Sequence, residues 1–236
     1  MAQHVGSARR EPLNRERVLR AAVALADAGG IESLSMRRLA QELGVVPMAL
    51  YKHVANKEQL LDGMVDAVVA GIDPPVEGSG WKDIVRRRIL SARQELLRHR
   101  WAAQVIESRT APTPAVLAYL DSMIGTFRDG GFSVDLTHHV MHAMGSRLLG
   151  FSQELFDDPA PAGSPGMTAD ALAALAGAYP RVAELAAAAA HDEESAVGRI
   201  CDDQFEFEFA LDLLLDGLER LHRQGWTSTR SPNVGA

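Results

Sequence analysis

The chain has 236 residues, 47% hydrophobic and 23% charged, with a net charge of −7 and one cysteine. These values describe a globular chain large enough for a substantial core; an internal disulfide is excluded, and no apolar run approaches the roughly 20 residues of a membrane span. Residues 1–57 hold nine Lys/Arg against five acids, whereas the rest hold fifteen against twenty-six, so a basic head precedes an acidic body.

In chain order, the periodicity predicts helix after helix. The N-terminal MAQHVGSARREPLNRERV has no apolar signal-peptide core, so a cytoplasmic location is expected. Asn14 is placed to cap a helix running to Gly29-Gly30, with Val18, Ala21, Ala22 and Leu25 on one face. Ser35 caps a two-turn helix that ends at Gly44. A third helix begins at Pro47, where the missing N–H is harmless, and PMALYKHV (47–54) forms its body. Asn56 caps a fourth helix, with Gln59 as its capping-box partner. PPVEGSG (74–80) marks the internal boundary, so the expected domains are 13–73 and 79–224.

Beyond it, Trp81, Ile84, Val85, Ile89 and Leu96 define a long helix to about His99, followed by a short element at 101–108. Thr113-Pro114 starts another helix that Asp129-Gly130-Gly131 ends. Ser133 caps a helix to about Phe156, with Leu136, Val140, Met144 and Leu148 at 3–4 spacing. DDPAPAGSPG (157–166) reads as a loop before an alanine-rich helical stretch. The last helix, about 197–224, carries Ile200, Phe205, Phe209, Leu213 and Leu218. The fold class is all-α.

SMRRLAQEL (35–43), the turn at Gly44, and PMALYKHV read together as helix–turn–helix. Leu39, Ala40, Leu43, Val45 and Leu50 are spaced to form the core that fixes the two helices. The N-terminal residues of the second helix face base edges when such a motif enters a major groove. Pro47, Met48 and Ala49 lie there, suited to thymine methyls or to close backbone approach. Tyr51, Lys52, His53 and Lys57 offer donors and charge to phosphates, and Arg37 can reach phosphate or guanine.

LSMRRLAQELGVVPMALYKHVANKEQLLDGM (34–64) resembles the DNA-binding domain of the tetracycline repressor (TetR) family, through RRLAQELGV, Leu50-Tyr51, His53-Val54 and NKEQLL. WKDIVRRRILSARQELLRHR (81–100), the GGF at 130–132 and FEFALDLLLDGLERL (207–221) resemble the ligand-binding and dimerising domain of the tetracycline-repressor branch. The resemblance implies a three-helix DNA-binding head and a larger helical ligand-binding and dimerisation bundle. It also implies a homodimer whose bundle uses 133–156 and 197–224, a double-stranded operator, and a small-molecule effector that releases DNA. The family's DNA-contacting positions fall on Arg37, Pro47, Met48, Ala49, Tyr51, Lys52, His53 and Lys57. Val46 stands where the family commonly has a capping serine, and Ile106 where tetracycline repressors have a magnesium-chelating histidine. Glu154 does align with a glutamate of that metal shell, but without the histidine tetracycline is not the expected inducer.

For the ligand site the expected residues are Arg88, Ile106, Met123, His138, Met141 and His142. His138 and His142, four apart, share a helix face; a polar pocket lining is preferred over a metal site, because no acid or cysteine completes a ligand set. The methionines suit an adaptable pocket, although at this spacing ordinary core is the commoner outcome. Arg86-Arg87-Arg88 reads as a solvated face with Arg88 turned inward. GxSxG, P-loop, GxGxxG and CxxC patterns are absent, so neither catalysis nor a cofactor is expected. The competing readings are a ligand- or metal-binding helical protein with a vestigial DNA head, and an activator of the same fold.

Overall fold

The computed structural model describes residues 12–76, 78–150, 176–181, 183–184 and 203–229, and all regular structure among them is helical. The helices are α1 (Arg15–Gly29), a 3-10 turn (Ile31–Ser33), α2 (Met36–Leu43), α3 (Pro47–Leu50), α4 (Lys57–Val69), α5 (Trp81–Arg98), α6 (Trp101–Ser108), α7 (Pro114–Asp129), α8 (Val134–Gly150) and α9 (Asp203–Arg223). The chain divides into two compact units, Met1–Met141 and His142–Ala236.

In the first unit, helix starts follow local chemistry. Asn14, Ser35, Asn56 and Thr113 each accept a backbone N–H from the first turn of the helix they precede, and the Ser133 hydroxyl accepts from Leu136 N at 3.0 Å. Gln59 adds a bond, but Oε1 accepts from Ala55 N at 2.5 Å, one residue earlier than the expected capping box. α1, α2 and α4 bury Val18, Ala22, Leu39, Leu60 and Met64 around Leu50 and Val54. This core does not stop at 74–80. It continues through Trp101, Ala102 and Val105 of α6, so the head and α6 share one packed interior. Asp27 near the end of α1 fastens the join: its Oδ1 accepts from Trp101 Nε1 at 2.7 Å and lies 2.8 Å from His99 Nδ1.

α5 packs on α7 through an aromatic cluster. Trp81 meets Phe132 edge-on at 4.7 Å between centroids, and Phe127 meets Phe132 at 5.2 Å. Here the GGF turn is explained: a Cβ on Gly130 would sit 2.9 Å from the Trp81 side chain.

In the second unit, α9 buries Phe207, Leu211, Leu215 and Leu218, while Phe205, Phe209 and Leu213 are more than half exposed. The helix therefore has two apolar faces. Residues 151–156 and 157–166, and 197–202 with Ile200 and Cys201, lie outside the described residues, as does Glu154.

Candidate DNA interface and ligand site

α2 ends because Gly44 takes the left-handed conformation (φ 66°, ψ 36°), which lets Val45 N donate back to Ala40 O at 2.9 Å. That turn aims α3. Its regular part is only Pro47–Leu50, shorter than the 47–54 expected from the sequence. Val46 supplies no side-chain cap. The extended Asn56 (φ −160°) that begins α4 forces the chain out of the helix beforehand. Helical bonding persists locally, since Val54 N still donates to Leu50 O at 3.0 Å, and this puts both side chains into the core.

With Leu50 and Val54 inside, the rest of the segment faces out. Met48 is 72% exposed, Val46 67% and Tyr51 44%. Arg37, Pro47, Lys52 and Lys57 are exposed, and Ala49 and His53 are half-buried. An apolar tip flanked by cations is unsuited to standing in water on its own account.

The body residues expected at the ligand site separate into places. Arg88 (5% exposed) and Met123 (1% exposed) are buried on α5 and α7. Arg88 Nη1 donates to Ser122 Oγ at 3.0 Å, and its guanidinium carbon lies 4.6 Å from the Tyr119 ring centroid. Among the described residues, Arg88 Nε, Arg109 Nε and the Tyr119 hydroxyl are buried with no hydrogen-bond partner. Burial pulls the Arg88 guanidinium below its ordinary value, against the Tyr119 phenol; burial pushes the Tyr119 hydroxyl up, against Arg88. Ile106 lies elsewhere, in a recess of about 170 Å³ with Val65, Arg109, Pro112, Thr113 and Val116. That recess is smaller than a pocket for a drug-sized molecule. His138 and His142 are exposed and Met141 is half-buried. His138 packs edge-on against His139, with ring centroids 5.2 Å apart. Among the described residues no group of His, Cys, Asp or Glu could hold a metal ion.

The sequence did not reveal the partners of these groups. Tyr119 and Ser122 lie on α7, far along the chain from Arg88. Arg109, at the end of α6, pairs with Glu58 and Asp62 of α4 at 2.6 and 3.3 Å. A tyrosine, a serine and a lone arginine before a proline carry no pattern. Only the packing of α5 on α7 and of α6 on α4 creates these sites.

An all-helical body following a helix–turn–helix whose second helix is apolar and outward, with Lys52 and Lys57 just beyond it, fits a DNA-binding regulator. Residues 18–64 match the family described as bacterial regulatory proteins, tetR family, and residues 74–222 match the tetracyclin repressor-like C-terminal domain. The chain belongs to the TetR family and is a helix-turn-helix transcriptional regulator; the family is one of regulators rather than enzymes. It is 32% identical to the HTH-type transcriptional repressor DrrR1 of Streptomyces coeruleorubidus over 226 residues, covering 90% of this chain and 79% of that protein. It is 33% identical to the class D tetracycline repressor protein of Escherichia coli over 141 residues, covering 58% of this chain and 64% of that one. Among solved structures it is similar to apo ActR from Streptomyces coelicolor, with a TM-score of 0.71 and 25% identity over 92% of this chain and 99% of that one. Among the described residues no helix is long and apolar enough to cross a membrane.

Proposed function

We propose that this regulator is a repressor that binds a palindromic operator as a homodimer and is released by a small-molecule effector. The observation that carries the DNA half is the exposed tip of Val46, Met48 and Tyr51, held out by the buried Leu50. Pro47, Met48 and Ala49 meet base edges, where thymine methyls are the matching chemistry. Arg37, Tyr51, Lys52, His53 and Lys57 take phosphates and fix the register. The functional division falls at the 74–80 turn, with the reading head before it and the ligand-binding and dimerising body after it.

The dimer reading is supported by the second apolar face of α9, where Phe205, Phe209 and Leu213 repeat every four residues. A two-fold dimer presents two heads to two half-sites, and their spacing is what an effector changes.

The effector reading is supported by ActR, which has been solved with (S)-DNPA and with actinorhodin. It is supported also by how the body grips α4. Arg109 holds Glu58 and Asp62, Val65 lines the recess beside Ile106, and Asp66 Oδ1 accepts from Ala115 N at 3.3 Å. Movement of the segment between α6 and α7 therefore pulls the helix that begins with Lys57. Effector and operator then weaken each other by one coupling free energy. Ile106 presents no metal-binding nitrogen, so the effector is taken without a chelated metal. No catalytic step is assigned, and the site of action is the cytoplasm, where the DNA is.

The test is fluorescence anisotropy with labelled DNA from the promoter beside its own gene. Tyr51→Ala and Lys57→Ala should each weaken binding several-fold while the far-ultraviolet spectrum stays unchanged. Deoxyuridine in place of thymidine in the half-sites should weaken the wild type. Normal binding by both variants would move the reading head elsewhere.

A further inference from the structure

The effector reading says that a small molecule binds, not what chemistry it carries. Arg88 narrows that. A guanidinium stays charged at any pH a cell meets, and taking it out of water is unfavourable unless a counter-charge follows it. Arg109 meets this demand with Glu58 and Asp62. Arg88 is 5% exposed, and among the described residues it has no carboxylate. What it has is a neutral hydroxyl and the face of a phenol. Neither neutralises it.

The geometry of what is left over is specific. Nη1 is occupied by Ser122 Oγ. The buried Nε carries an N–H that no described residue receives. The edge formed by Nε and Nη2 is the side of the guanidinium that takes a carboxylate with two parallel bonds. On the ring that the guanidinium faces, the Tyr119 hydroxyl is buried with no partner among the described residues, and burial keeps it protonated, so it is a donor in waiting. Met123, one turn along α7 from Tyr119, is buried, and Phe127 follows another turn on, so the apolar surface of α7 begins beside the polar pair.

We propose that the effector is an organic carboxylate with an apolar body, its carboxylate seated side-on against Arg88 Nε and Nη2 and accepting from the Tyr119 hydroxyl. This rests on the ligand-responsive reading above. The ligand supplies the counter-charge that the described residues omit, so the site is preorganised for an anion and poor for a neutral isostere. Tyr119 lies on α7, which directly follows the loop whose Arg109 grips α4, so seating an anion between α5 and α7 bears on that loop.

The test uses the full-length dimer and paired probes, benzoate and naphthoate, each against its neutral amide. Thermal unfolding and calorimetric titration are run on the wild type, Arg88→Met and Tyr119→Phe. The acids should raise the wild-type Tm and bind at least tenfold more tightly than the amides. Arg88→Met should abolish that preference, and Tyr119→Phe should reduce it. A wild type that binds neither member of a pair, or both equally, overturns the proposal. So does an acid preference that survives Arg88→Met. Should Arg88→Met not fold, Arg88→Lys keeps the charge without the planar fork, and the preference should fall several-fold; an undiminished preference counts against the proposal. Promoter DNA binding is measured on the same samples. Its retention with no acid preference sinks only the carboxylate reading; its loss in the wild type sinks the regulator mechanism itself.

Discussion

Arg109 Nη1 lies 2.6 Å from Glu58 Oε2, joining the end of α6 to the first turn of the helix that begins with Lys57. Asp62, one turn on, takes the same nitrogen at 3.3 Å. The loop leading to α7 is thereby tied to the helix that bears on the DNA head. Glu58 is largely exposed and Asp62 about half so, and the pairs contribute under about 1 kcal/mol to stability. Its role is positional. Arg109→Ala should leave the denaturation midpoint nearly unchanged and speed amide hydrogen exchange at residues 57–66 several-fold. Unchanged exchange there would remove Arg109 from the coupling.

The reading head depends on one fully buried side chain. Leu50 sits at the end of α3 with no exposed surface. Leu50→Ala should cost about 2–5 kcal/mol in urea denaturation, because the cavity cannot close without moving α2 or α4. Met48→Ala, at the exposed tip, should change stability by less than about 0.5 kcal/mol and still alter DNA affinity. Equal losses from the two would mean that α3 packs differently.

The Tyr119 hydroxyl should leave a mark on stability against pH. Burial raises its pKa above the ordinary value of 10.0, with Arg88 opposing. The folded protein therefore holds that proton more tightly than the unfolded chain does. The stability so gained is complete below the unfolded value and is lost as pH climbs through the folded one. Wild type should thus lose stability more steeply than Tyr119→Phe above about pH 10. Parallel curves there would show that the hydroxyl is not buried.

Phe209 lies at the centre of the exposed face of α9. Phe209→Lys should convert the dimer to monomer in sedimentation equilibrium and weaken promoter binding with it. A variant that stays dimeric would place the dimer seam on other residues.

Much of this was legible in the residues, and the reason is locality. Asn14, Ser35, Asn56, Thr113 and Ser133 cap helices with their own side chains, so their neighbours alone decide the outcome. Gly44 likewise sets its turn through its own backbone. What stayed hidden depended on distant partners. The length of α3 is fixed by where Asn56 must turn into α4, and the continuity of the core past 74–80 by Trp101 docking on Asp27. On α9 Phe205 and Phe209 face outward, while Phe207 and Leu218 face inward. Both faces are apolar, so periodicity could not choose between them. The sequence turned Arg88 inward from its two neighbours; the packing of α7 adds that, among the described residues, it has no carboxylate partner.

The central claim is that the segment from Pro47 to Lys57 reads DNA. The most direct measurement is anisotropy of the wild type on labelled promoter DNA and on random duplex, titrated at several salt concentrations. The account predicts binding that weakens steeply with salt and favours the promoter sequence by about a thousandfold or more. Weak binding that makes no distinction between the two duplexes would contradict it.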